Sequence, residues 1–376
     1  MTVKAAEKST RAWLIGFLRE EWFLCVSLVT VAVFTLDKAL FNDLPDPFAF
    51  ALIFGWLFLA VLGSCLSVVR HADGLAEILG EPYGTLILTL SVTAIEVLSI
   101  SAVMLHGANN PALVRDTLFS VVMVILGGMA GISLLVGGWR HREQAYNLQG
   151  ANSYLGVIIP LCVMCLVLPS FTVTTPGPTL SGPQQVFVTL MCAGLYAAFL
   201  SLQTGRHRGY FTMGGRDHDH HPGHAQHSLV RHTLLLIAYM LPIAFLAEEM
   251  ANPIDYLIET LHMPDMLGGV VIAIIVATPE SIGAMRAAIA NRLQLAVNIF
   301  LGSVLSTIGL TVPVMLVISH FTGHVVFLGL SGASEVLLLL TLAVSVVTFA
   351  SGRTNILQGV VHVVLFAAFV MLMFQA

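Results

Sequence analysis

The amino-acid sequence predicts an all-α membrane protein of about eleven transmembrane helices. Three observations point there. The 376 residues are 57% hydrophobic and only 10% charged, with a mean hydropathy of +0.90. A soluble domain carries roughly 25% charged residues. Apolar runs of about 17 to 25 residues recur, the length a helix needs to cross a hydrocarbon core about 30 Å thick. Short alternating segments of the barrel type are absent, so helices must satisfy the backbone inside lipid.

Taken in order, the first span is 22–36. The residues before it carry Lys4, Lys8, Arg11, Arg19, Glu20 and Glu21 with no small-residue cleavage site, so the segment is read as a retained helix rather than a signal. Five spans follow at 48–69, 83–105, 117–138, 152–170 and 184–204. Cys25, Cys65, Cys162, Cys165 and Cys192 all fall inside apolar runs. Cys162 and Cys165 form a CxxC within LCVMCLV, and small core residues are the favoured reading over zinc or redox chemistry. A polar, histidine-rich linker then runs over 205–231. Five more spans follow at 232–250, 267–285, 293–319, 325–349 and 354–374. The tenth starts later if VVFLGL (325–330) is a short surface segment.

Basic residues orient this layout. Fourteen of the 16 Lys and Arg fall on the side of the N-terminus, and only Lys38 and Arg115 fall on the other. The positive-inside rule makes the first side cytoplasmic and leaves the C-terminus periplasmic in a bacterial inner membrane. The domain reading is residues 1–47 as N-terminus and first helix, 48–204 as one five-helix repeat, 205–231 as cytoplasmic linker and 232–376 as a second repeat. A five-span unit has an odd number of crossings, so its second copy enters inverted, a plan common among secondary transporters.

GTLILTLSVTAIEVLSI (84–100) lies over GGVVIAIIVATPESIGA (268–284), with Glu96 over Glu280 and Gly84 over Gly268. Each glutamate is the fourteenth residue of its span and so sits near the midplane. The helices that follow do not align without gaps. A charged carboxylate at mid-membrane costs about 2.5–3.5 kcal/mol on insertion scales. No lysine or arginine lies at that depth, so a salt bridge lacks a partner. Two neutral glutamates acting as polar glue are one reading; a site that trades a bound cation for protons is the other. Burial and a like charge favour the protonated acid, while a divalent cation favours the pair of carboxylates. Calcium takes six to eight oxygens, and Thr93, Thr278, Ser281, Ser303 and Ser306 are the hydroxyl candidates beside Glu96 and Glu280. Pro279 removes a donor beside Glu280 and is expected to break the helix so that carbonyls face the site.

Other acidic and histidine residues carry weaker readings. Glu335 in GASEVLLLL is an accessory candidate near the outer end of its span. Glu248, Glu249, Asp255, Glu259 and Asp265 make one outer loop acidic, as a solvated loop rather than a cation funnel. DHDHHPGH (217–224) with His227 reads as a solvated loop before a transition-metal or pH-sensing one. No Walker A loop, DKTG run, HExxH or GxSxG occurs, so the expectation is a secondary transporter and not an enzyme, with no resident cofactor and no nucleic-acid partner. A channel is disfavoured because an inverted pair stands in place of a ring of equivalent segments.

At these residues the chain resembles the calcium/cation antiporter superfamily, specifically calcium/proton exchangers of the bacterial ChaA type. RLQLAVNIFLGSVLSTIGLTVP (292–313) and GEPYGTLILTLSVTAIEV (80–97) look like the family's two repeat motifs, and REQAYNLQG (142–150) and SGRTNILQG (351–359) look like its connecting segments. The resemblance covers nearly the whole chain. It implies ten core helices in two inverted repeats, Glu96 and Glu280 binding calcium and protons alternately, and alternating access by sliding of the outer helices. Many exchangers carry Gly-Asn-Ala before each glutamate; here those places read Val92-Thr93-Ala94 and Val276-Ala277-Thr278, and Ser306 stands where a glutamine is found. The ChaA type is also associated with sodium and potassium exchange, so the transported ions implied are protons with calcium, or with sodium or potassium as the alternative.

The orientation is directly testable. A reporter fused after Ala376 is expected outside the cytoplasm and one inserted at Gly223 inside it; activity of both on one side would overturn the eleven-span layout.

Overall fold

A computed structural model describes residues 16, 19–80, 83–105, 110–211, 229–330 and 332–375. The histidine-rich stretch 217–227 lies outside the described residues. Eleven helices succeed one another: α1 (Trp22–Leu36), α2 (Pro47–Leu79), α3 (Tyr83–Leu105), α4 (Leu113–His141), α5 (Leu148–Phe171), α6 (Gly182–Thr204), α7 (Leu229–Thr260), α8 (Leu267–Ile289), α9 (Leu293–Thr322), α10 (Gly332–Thr348) and α11 (Ile356–Met373). Among the described residues nine are long and apolar enough to cross a membrane, and α1 and α10 are shorter apolar helices. The chain is an all-α membrane protein.

Local sequence sets the ends. Asp46 caps α2 by accepting the Phe48 N–H at 3.1 Å, with Pro47 at the first helical position. Ser181 with Gln184, and Asn355 with Gln358, form capping boxes at the starts of α6 and α11. Two helices outrun their sequence-predicted spans. The α2 helix continues past residue 69 to Leu79 and stops at Gly80, whose φ is +63°. The α7 helix continues past 250 to Thr260, through Glu248 and Glu249. Hydropathy marks where lipid ends, whereas a helix ends where its capping fails. Glu249 is also not a solvated loop residue: it is 2% exposed and accepts from Lys38 Nζ at 2.6 Å.

The segment VVFLGL is not a helix, and it is not at the surface either. Val326, Leu328 and Leu330 are buried in an extended strand of chain. The Phe327 N–H donates to Pro111 O at 2.8 Å, that of Leu328 to Pro178 O at 3.2 Å and that of Leu330 to Leu166 O at 2.7 Å. Those bonds take up backbone donors that would otherwise be buried and unpaired. On the opposite face, β1 (Glu143–Ala145) pairs antiparallel with β2 (Arg353–Asn355), Gln144 opposite Thr354. Gln144 also donates to Ala288 O at 2.8 Å, so this ribbon grips the turn between α8 and α9.

The α4 and α9 helices are the buried centre, with 78% and 72% of their membrane windows inside the protein, against 22% for α6. Each is interrupted by a π turn, Met123–Met129 in α4 and Thr307–Thr311 in α9. The two turns begin at the same distance in sequence after Glu96 and Glu280. A π turn leaves helix carbonyls poorly paired, and His362 answers one of them: its Nδ1–H donates to Leu126 O at 2.7 Å while its Nε2 accepts from Thr348 Oγ1 at 3.0 Å. Cys165 lies 3.4 Å from Cys192, Sγ to Sγ, in the buried α5–α6 contact, consistent with small core residues.

Close approach of α4 to α11 runs over glycines. A Cβ on Gly359 would lie 2.5 Å from the Leu135 amide nitrogen, and one on Gly131 would lie 2.8 Å from that of Val363. Gly359→Ala must push backbone rather than a side chain, so it is expected to cost about 1–3 kcal/mol as overpacking does. A lowered midpoint in thermal unfolding of the detergent-solubilised protein would show it; an unchanged midpoint would mean that α11 shifts freely.

Candidate functional site

The α3 helix carries Glu96 and α8 carries Glu280, and α9 crosses both. Glu96 is 1% exposed, while Glu280 is partly exposed. The α9 helix offers each of them a hydroxyl. Ser303 Oγ donates to Glu280 Oε2, and Thr307 Oγ1 donates to Glu96 Oε2 at 3.0 Å. Among the described residues neither carboxylate meets a lysine or arginine.

The second oxygen of Glu96, Oε1, is buried with no hydrogen-bond partner. So are Thr93 Oγ1, Ser99 Oγ and Thr311 Oγ1. Thr93 and Ser99 lie one turn to either side of Glu96, and residues three apart share a helix face. Buried polar atoms without partners are rare and each needs an explanation. Several hard oxygens of this kind around one carboxylate fit a cation with oxygen ligands. Among the described residues no group of three His, Cys, Asp or Glu could hold a metal ion by itself. A cation here would rest on two carboxylates completed by hydroxyl and carbonyl oxygens.

The sequence-predicted candidates divide unevenly. Thr93 and Ser303 join the constellation. Ser306 is buried but donates to Ser303 O at 3.0 Å, one step back along its own helix. Thr278 and Ser281 spend their protons on α8, donating to Ile274 O at 2.5 Å and to Ala277 O at 2.7 Å. Thr278 is two residues from Glu280, which places it on the far side of the helix. Glu335 sits in the first turn of α10, half-buried and outside this constellation. Pro279 does not break α8, which runs through it unbroken. Its missing N–H instead leaves the carbonyl of Ile275 without the usual helical donor. That residue lines a narrow cavity with Ser99, Val103, Met250 and Ile272.

Thr307 and Thr311 were not among the sequence candidates, yet they are the hydroxyls nearest Glu96 on α9. A signal for them existed. Ser303, Thr307 and Thr311 recur every fourth residue, which lines one stripe of a helix. Only the crossing of α9 over α3, across 211 positions of sequence, turns that stripe into a shared site.

The comparisons with known proteins agree with this architecture. A family model described as "Sodium/calcium exchanger protein" matches residues 49–205 and again 231–375. The chain is 39% identical to the sodium-potassium/proton antiporter ChaA of Escherichia coli K12 over 321 residues, 84% of this chain and 87% of that one. It is 23% identical over 272 residues to the Ca(2+)/H(+) antiporter ChaA of Bacillus subtilis 168, covering 72% of this chain and 77% of that one. The solved structure of native YfkE superposes with a TM-score of 0.72 at 19% identity, over 94% of this chain and 100% of that one.

Thr307→Val keeps the shape and removes the hydrogen bond that Glu96 Oε2 receives at 3.0 Å. Its expected cost is about 1–3 kcal/mol, the penalty for leaving a buried polar group unsatisfied. A lowered midpoint in thermal unfolding of the detergent-solubilised protein is the check; an unchanged midpoint would mean that Glu96 does not depend on this bond.

Proposed function

We propose that this chain, which belongs to the sodium/calcium exchanger protein family, exchanges calcium for protons across a bacterial inner membrane. The observation that carries the proposal is the pair of membrane-buried glutamates with no basic partner, each held by one hydroxyl of α9. Cation/proton exchange is the activity that the antiporter relatives have in common.

The mechanism follows from charge balance. Two carboxylates in a low-dielectric interior carry a desolvation cost that two protons or one divalent cation can each remove. Calcium displaces the protons when its two charges and the surrounding oxygens outweigh their bonds, and protons displace calcium when their activity rises. The two states exclude each other, so one site couples the fluxes. Glu96 and Glu280 are the titrating ligands. Ser303 and Thr307 orient them, and Thr93 and Thr311 complete the oxygen shell. The repeats at 48–204 and 232–376 are proposed as inverted copies, a reading supported by the twofold family match and the matched π turns. The N-terminus is assigned to the cytoplasm and the C-terminus to the periplasm.

A second reading has its own support. The relative at 39% identity is a sodium-potassium/proton antiporter by name. Hydroxyls stand here where amides would add ligands, and a smaller oxygen set suits a monovalent ion sharing the pair with one proton.

Glu96→Gln and Glu280→Gln keep size and remove the titrating charge. Either is expected to abolish exchange while the protein still folds, because a neutral amide carries no ionic insertion cost. Glu→Asp is expected to be milder but damaging, since it retracts a ligand from contacts of about 2.3–2.6 Å. Proton flux in everted vesicles on adding calcium, sodium or potassium reads all of these. Near-normal flux in either Gln variant rejects the two-carboxylate mechanism; flux with sodium or potassium alone selects the second reading.

A further inference from the structure

A second polar cluster, distant from the carboxylate site, closes the cytoplasmic end of the seam between α2 and α7. His71 of α2 and His232 of α7 face each other with Nδ1 atoms 3.1 Å apart and ring centres 5.3 Å apart. His71 is 3% exposed. Space for the contact comes from Gly74, where a Cβ would lie 2.6 Å from the His232 ring. The pair borders a cavity of about 230 Å³ lined also by Glu20, Glu21, Arg70 and Arg231.

Among the described residues the charged groups lining this cavity are already engaged. Glu21, just before α1, is 3% exposed and accepts from Arg70 Nη2 at 2.5 Å and from the Tyr239 hydroxyl at 3.1 Å. Its Oε2 lies 3.4 Å from His71 Nε2. Burial alone would raise the Glu21 pKa, but the His71 hydrogen bond, the Arg70 and His71 charges and the Tyr239 bond outweigh it and hold it at about 2. It stays a carboxylate throughout the physiological range. Arg231 donates to Glu20 at 2.5 Å. The cytoplasmic half of α3, which also packs on α2 and α7, has no charged residue over 86–95. Asp73, two residues along α2 from His71, is pushed up to about 6 by burial and by the Glu77 charge, and it is present alike in wild type and histidine variants. Within the described cluster itself the two imidazoles are the side chains that gain charge on acidification.

Two facing ring nitrogens can share one proton between them. One Nδ1 donates, the other accepts, and the contact survives in either tautomer and with one extra proton on the outer nitrogen of the donor ring. A second proton sets N–H against N–H and cation against cation at 3.1 Å. With Arg70 and Arg231 nearby and one buried carboxylate to share, that state is not stable in contact, and the rings must separate. They sit on α2 and α7, the first helices of the two proposed repeats, which pack extensively on each other.

We propose that His71 and His232 form a cytoplasmic proton sensor whose protonation parts the inner ends of α2 and α7 and throttles transport. An exchanger that brings protons inward acidifies the compartment this pair faces, so the sensor closes a feedback loop. The inference rests on the exchange reading for its transport readout only, and not on which cation is carried.

His232→Asn and His71→Asn each keep a polar group near the Nδ1 position and cannot titrate. Flux is measured in everted vesicles, where the cytoplasmic face is outward, at about pH 8 and about pH 5.5, either side of the histidine range. The central glutamates and the driving force respond to pH equally in wild type and variant. The fraction of flux retained at the lower pH is expected to rise by about threefold or more in either variant, the direction expected when a titrating histidine is removed. An unchanged fraction in both overturns the sensor. A second measurement needs no transport: hydrogen exchange over residues 229–240 of the purified full chain, corrected for intrinsic rates. Wild type is expected to lose protection at the lower pH and the Asn variants to keep it. Equal protection of wild type at both values overturns the proposal even if the protein carries no calcium. Absence of exchange with intact pH-dependent opening would reject the transport reading alone.

Discussion

The rest of the structure is organised around two carboxylates held in a low-dielectric interior without counter-charge. Glu96 and Glu280 cannot draw on lysine or arginine, so their stabilisation comes from dipoles: two hydroxyls that donate and further oxygens that have no other partner. That arrangement is costly as static structure. A buried acid with an unpaired oxygen and three buried hydroxyls with none carries desolvation that ordinary cores avoid. In the exchange mechanism proposed above, a cation or protons would offset that cost.

Holding such a site requires rigid walls, and α4 and α9 supply them in different ways. Both are central, both contain a π turn, and the turns keep one register relative to their glutamates. In that register Ser303, Thr307 and Thr311 of α9 correspond to Phe119, Met123 and Gly127 of α4. One helix therefore brings the oxygens to both carboxylates. The other brings packing: Gly127 lets α11 approach so closely that an added Cβ would lie 3.0 Å from Phe366 Cβ. Between α4 and α9, the oxygens lie on α9.

The extra helix α1 is tied to α7 at both ends. Lys38, just past its C-terminal end, pairs with buried Glu249, and Glu20, just before its N-terminal end, pairs with Arg231. Exposed ion pairs are worth little, but Glu249 and Glu21 are each 3% exposed or less, and removing their partners would strand a buried charge. These ties make α1 follow α7, and they place the histidine pair at the junction of α1, α2 and α7.

Composition and apolar run length were enough to determine an all-α membrane protein with this helix order, because insertion free energy is a property of local segments and needs no tertiary contact. The membrane depth of the two glutamates was equally legible, since a carboxylate inside a long apolar run has few structural excuses. Thr93 lies one turn from Glu96, whereas Ser303 donates to Glu280 from 23 residues further along the chain. What sequence could not decide was direction. Thr278 and Ser281 lie next to Glu280 but point into their own helix backbone, while Thr307 reaches Glu96 across 211 residues. Pro279 looked like a break, yet packing on both sides carries α8 through it. The facing of His71 and His232 was likewise hidden, 161 residues apart. Local periodicity gives a side chain's angle on its own helix. Which neighbour that angle meets is set by how helices cross, and that belongs to the tertiary structure alone.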